Sequence, residues 1–121
     1  MLDRRILDYL NQGDTVAVET SEALEQMRSF VRIRPMPNPA IARQERRFIN
    51  SPYPIWEYWF FEFRRLTLRP GWETDEWNYD RYLVHDERRM TQSEAEFLET
   101  LKEWVPAPQR LVHVTKSPCP E

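Results

Sequence analysis

Ile55-Trp56-Glu57-Tyr58-Trp59-Phe60-Phe61-Glu62-Phe63-Arg64-Arg65-Leu66-Thr67-Leu68 packs six aromatic residues into fourteen positions. Aromatic and β-branched side chains suit a pleated, half-buried surface, so the stretch predicts a strand. Strand alternation puts Trp56, Tyr58 and Phe60 on one face and Trp59, Phe61 and Phe63 on the other. Both faces are aromatic at the start, as in a central strand covered on both sides. The more polar end predicts a strand leaving the core.

The neighbours complete a hairpin. Pro70-Gly71 is a turn, residues 72–80 form an acidic loop, and Arg81-Tyr82-Leu83-Val84-His85 reads as the returning strand. The central aromatic hairpin therefore spans about 55–69 and 79–85. Upstream, Leu2, Ile6, Leu7 and Leu10 lie on one face of a helix that Gly13 stops. Thr15-Val16-Ala17-Val18 is β-prone. Thr20 or Ser21 then caps a second helix with Ala23, Leu24 and Met27 inward. Phe30-Val31-Arg32-Ile33-Arg34 alternates like a half-exposed strand. Pro35, Pro37 and Pro39 lack backbone donors, so the strand should stop before them. Asn38 as N-cap and Pro39 at the first helical position would start a short helix, with Ile41, Glu45, Phe48 and Ile49 on one side; an irregular arm is the alternative.

Downstream, Thr91-Gln92-Ser93-Glu94 fits a capping box. It opens a helix with Phe97, Leu98, Leu101, Trp104 and Val105 on one face, which Pro106 ends. Leu111-Val112-His113-Val114 is a last strand. The pattern predicts an α+β fold: a small antiparallel-containing sheet packed by two to four helices. The 121 residues fit one domain, expected over 1–116, with 117–121 as a flexible C-terminal tail.

Several chemistries are disfavoured. Only Gly13 and Gly71 are glycines, so phosphate-binding glycine loops are excluded. His85 and His113 fall in different strands, with no spacing typical of metal ligands; His85-Asp86-Glu87 is the nearest approach to one. Cys119, the single cysteine, lies between two prolines and reads as a solvated thiol. No serine sits in a nucleophile elbow. Glu57 and Glu62 could have raised pKa values if buried among aromatics. An odd and an even strand position point apart, however, and pairing with Arg64 or Arg65 is the simpler expectation. No cofactor, metal site or catalytic residue is expected. The longest aromatic-aliphatic run is four residues, far short of the ~20 of a membrane helix. The charged start Met1-Leu2-Asp3-Arg4-Arg5 does not resemble a secretory signal. The expected compartment is the cytoplasm.

Net charge is −3, but it is unevenly spread. Residues 31–70 carry eight arginines against three acids, and residues 71–105 carry ten acids against four basic residues. These segments either complement each other internally or face partners. Trp72, Glu73, Asp75, Glu76, Trp77, Tyr79 and Asp80 place aromatic anchors in an acidic field, which suits a plug for a basic active site. This is similar in kind to small bacterial immunity proteins and antitoxins that neutralise nuclease toxins. The expectation is a non-enzymatic inhibitor of a basic partner protein, such as a toxin or enzyme. The alternative is a nucleic-acid-binding protein. It would use Arg32, Arg34, Arg43, Arg46, Arg47, Arg64, Arg65 and Arg69 beside Tyr53, Trp56, Tyr58 and Phe63. An exposed aromatic face would imply a homodimer or a missing partner.

Overall fold

The structure is a computed structural model that describes residues 2–20, 27–40 and 55–119. Five antiparallel strands lie in the order β4-β3-β2-β1-β5. They are β1 (Val16–Glu19), β2 (Arg28–Pro37), β3 (Trp59–Leu68), β4 (Leu83–Thr91) and β5 (Val112–His113). Three α-helical segments lie wholly within the described residues: α1 (Arg4–Asn11), the single turn α2 (Ile55–Tyr58) and α3 (Glu94–Trp104). The expected α+β architecture with its aromatic hairpin is present. No helix among the described residues is long and apolar enough to cross a membrane.

β3 builds both cores. Its odd residues Trp59, Phe61 and Phe63 face α1 and α3, joining Ile6, Leu10, Phe97, Leu101 and Trp104. Phe97 sits 5.1 Å from both Phe61 and Phe63, centroid to centroid. Its even residues Leu66 and Leu68 enter a second cluster across the sheet, with Ala17, Phe30, Trp72 and Cys119. The strand end expected to leave the core is therefore buried. The strand is also shorter than its composition suggests. Residues 55–58 wind into α2, and this changes the side-chain period. Trp56 and Tyr58 consequently join the first cluster, Trp56 lying 4.8 Å from Phe97. The returning strand starts at Leu83 and runs to Thr91, because residues 79–82 belong to a 3-10 segment, Glu76–Tyr82.

β2 passes through Pro35 and Pro37 rather than stopping before them. Thr20 N–H donates to Ser29 C=O (2.8 Å) and Asn38 N–H donates to Tyr58 C=O (2.9 Å). Backbone groups of odd β2 residues therefore face β1, and those of even residues face β3. The β1 ladder ends at Val16↔Ile33. The missing donors at 35 and 37 point beyond that end, where a proline breaks no ladder bond. At Asn38, Oδ1 accepts from Ala40 N–H at 3.1 Å, and 39–40 are helical as expected. The remainder of that helix, and Ala23 and Leu24 of the expected second helix, lie outside the described residues.

α1 starts at Asp3, whose carboxylate caps Arg5 N–H at 2.8 Å. It stops before Gly13, at φ +87°, a conformation that suits glycine. The α3 cap is Ser93, not Thr91: Ser93 Oγ accepts from Glu96 N–H, and the Glu96 carboxylate accepts from Gln92 N–H. Thr91 is buried at the end of β4, where its hydroxyl donates to Phe61 C=O. On α3, Phe97, Leu101 and Trp104 face inward as expected, whereas Leu98 is exposed.

Candidate protein-binding loop

The connection between β3 and β4 is fastened at its base. Arg69 N–H donates to Tyr82 C=O at 2.8 Å, and Gly71 turns the chain at φ +98°. Two 3-10 segments follow, Trp72–Thr74 and Glu76–Tyr82. This geometry separates the seven candidate residues. Trp72 is buried, edge-on to Phe30 at 5.9 Å, and pins the loop to the second face of the sheet. Tyr79 is half-buried against the same cluster, with its hydroxyl 3.4 Å from Arg64 Nη1. Glu73 accepts from Arg28 Nη1 at 2.5 Å, and the same guanidinium is held by both Glu19 oxygens at 2.8 Å. Asp75 accepts from Asn78 Nδ2 at 3.0 Å, an internal brace for the loop. Asp80 is exposed. The Glu76 side chain lies outside what the structure describes.

Trp77 behaves differently. It is 97% exposed on a loop whose other tryptophan is 4% exposed. Holding an indole in water forgoes roughly 2–3 kcal/mol of burial. It stands between Glu76 and Asn78, on a turn braced by the Asp75–Asn78 hydrogen bond.

The two charged segments partly complement each other. Arg64 pairs with Asp86 and Arg65 with Glu87 across the β3–β4 ladder, whereas the Arg89–Glu103 pair, at 2.8 Å, lies within the acidic segment itself. The Arg65 and Arg89 guanidinia also stack on Trp104, at 4.5 and 4.8 Å. Arg69 donates to the Arg81 carbonyl. Other arginines collect on the second face. The registers Arg32↔Arg64 and Arg64↔Arg88 place three arginines in one cross-strand row, with Arg34 in the adjacent row. The aromatics expected to accompany them lie elsewhere: Trp56, Tyr58 and Phe63 belong to the first cluster. Arg43, Arg46, Arg47 and Tyr53 lie outside the described residues.

Neither Glu57 nor Glu62 forms a carboxylate pair. Glu57 is exposed in α2 and Glu62 is half-buried on β3 between Arg34 and Met90. Arg64 and Arg65 are held by Asp86 and Glu87 instead. Among the described residues no group of three or more His, Cys, Asp or Glu is placed to hold a metal ion. His85 lies 3.5 Å from Glu87, and His113 lies 3.8 Å from Asp14 and edge-on to Tyr9. Cys119, expected in solvent, is buried in the second cluster. No family model matches the chain, and neither a curated protein nor a solved structure shows significant similarity to it.

Proposed function

We propose that this chain is a non-catalytic protein-binding module of the inhibitor or immunity type, which engages a basic partner through the 72–80 loop. The near-complete exposure of Trp77 carries this reading. In it, Trp77 is the apolar anchor, and Asp75, Asp80 and the other loop acids form the charged surround. Trp72 and Tyr79 are supports rather than contacts. Glu73, already engaged with Arg28, contributes field more than a direct bond. Charged surrounds of this kind mainly speed encounter and fix register, whereas a desolvated aromatic anchor slows dissociation.

The test is retention of a partner from a lysate of the source organism on immobilised wild type, Trp77→Ala and Asp80→Lys protein. A basic protein retained stoichiometrically by wild type, lost with Trp77→Ala and released by salt is the expected result. Retention equal in all three would remove the loop from the interface. The second reading, nucleic-acid binding through the arginines of residues 31–70, draws support from the Arg32, Arg64 and Arg88 row. It requires affinity for single-stranded RNA or DNA that falls steeply with salt. Absence of binding at low salt would eliminate it.

A further inference from the structure

β4 ends the sheet on one side, and β5, the strand on the other side, is only two residues long. Among the described residues the long free edge is therefore β4. We infer that this edge pairs antiparallel with the β4 edge of a second copy of the chain, about a twofold axis at Glu87, so that Asp86 of each copy lies opposite Arg88 of the other.

Three observations carry the inference. The first is the direction of the backbone. Even residues of β2 bond to β3, so the even residues of β3 bond back to β2 and its odd residues bond to β4. The β4 partners of those odd residues are His85, Glu87, Arg89 and Thr91. The N–H and C=O groups of Asp86, Arg88 and Met90 consequently point away from the sheet. Such a row is a template for another strand. A register centred on Glu87 sets the outward groups of one copy against the outward groups of the other.

The second is charge. Exposed charges normally protect an edge from pairing. Here their order along the strand is acid, acid, base, base: Asp86-Glu87-Arg88-Arg89. Antiparallel pairing of this run with itself brings acids to arginines. Asp86 and Arg88 lie on the same face of the sheet, and the twofold axis repeats their cross-copy pair. Arg88 is exposed, and the Asp86 of its own copy is engaged by Arg64. Each Asp86 oxygen accepts one bond from Arg64, which leaves lone pairs for a second guanidinium. The two Glu87 side chains meet near the axis on the face that carries α3, and each is paired with Arg65 of its own copy.

The third is apolar exposure. Val84 and Met90 are the exposed large hydrophobic residues of β4, at 49% and 41%. The same register brings Val84, at the bulge where β4 begins, to the level of Met90 of the second copy. Pairing thus shields side chains that a single copy leaves in water.

The experiment is sedimentation velocity from about 5 to 500 μM on wild type, Arg88→Glu, Trp77→Ala and the charge-matched control Lys102→Glu on α3. Circular dichroism melts confirm that each variant folds. One strand per copy buries less than a standard interface, so a dimer dissociating at roughly 10–100 μM is expected. Arg88→Glu sets like charges opposite each other twice per dimer and should raise that constant about tenfold or more. Lys102→Glu and Trp77→Ala should leave it within about twofold. Amide exchange supplies a second measurement. The Asp86 and Arg88 N–H groups should exchange more slowly as wild type is concentrated, and Asp86 should lose this dependence in Arg88→Glu. A monomer throughout the range would overturn the inference and leave the edge for a strand of another protein. So would exchange independent of concentration, a dimer that Arg88→Glu leaves intact, or one that Trp77→Ala dissolves.

Discussion

The Arg64 guanidinium holds Asp86 with two hydrogen bonds, Nε to Oδ1 at 2.8 Å and Nη2 to Oδ2 at 3.0 Å. Arg64 is 6% exposed and shares its row with Arg32 and Arg88. Asp86 is thus the counter-charge that lets a buried cation sit beside two others. Asp86→Asn should destabilise the fold by about 2 kcal/mol, less than a fully buried pair because Asp86 is partly solvated. Denaturant melts at neutral pH would measure it.

The same pair gives an acid transition with a defined sign. The hydrogen bonds from Arg64 hold the Asp86 pKa below its ordinary value. Its folded value is lower than its unfolded one, so the stabilisation is fully present above about pH 3.9. It is lost as pH falls through the lower folded value. The melting-temperature gap between wild type and Asp86→Asn should therefore shrink below about pH 4. A gap unchanged from neutral to strongly acidic pH would mean that the aspartate charge contributes nothing.

Cys119 lies in the second cluster beside Ala17, Phe30 and Trp72, 5% exposed. A buried thiol in apolar surroundings is poorly reactive. Native protein should react with a thiol reagent far more slowly than protein in denaturant, by about two orders of magnitude or more if opening must precede reaction. Equal rates would place the thiol in solvent, as its proline-flanked sequence suggests.

Gly13 follows α1 at φ +87°, and a Cβ there would sit 3.4 Å from the Trp59 ring. Trp59 in turn donates Nε1–H to Asn11 C=O at 3.2 Å, so helix end and strand start are locked together. Gly13→Ala should cost about 1–2 kcal/mol, chiefly from the left-handed backbone. A melt indistinguishable from wild type would show that the turn relaxes to a negative φ.

Features set by local rules were legible in the sequence. The spacing of Leu2, Ile6 and Leu10, the Gly13 stop, and the facing of Trp59, Phe61 and Phe63 all follow from period and turn chemistry. Features set by neighbours were not. Pro35 and Pro37 can sit in β2 only because β1 ends opposite Ile33, and no local pattern contains that length. Two overlapping capping boxes begin at Thr91 and Ser93. The choice falls to Ser93 because Thr91 is still paired with Phe61 in the sheet. Arg32 and Arg34 looked like the exposed half of an alternating strand. Their row-mates Arg64 and Arg88 became visible only with the β3–β4 register.

Trp72 and Trp77 are the sharpest case, since only four residues lie between a core tryptophan and a surface one. Trp72 packs edge-on to Phe30 and closes the second cluster. Its truncation to alanine removes that packing and opens a cavity, and should cost about 3–5 kcal/mol. Trp77 is 97% exposed, so Trp77→Ala should change stability by no more than about 0.5 kcal/mol. The two variants therefore separate scaffold from contact. An affinity loss in Trp77→Ala at unchanged stability assigns the indole to the interface. The same loss in Trp72→Ala would simply follow its lower stability. Quenching by neutral acrylamide offers an independent check, because it should remove a component of the wild-type fluorescence that is absent from Trp77→Ala. If quenching of the two proteins were equal, Trp77 would be shielded in solution, and the anchor role proposed for it would fall.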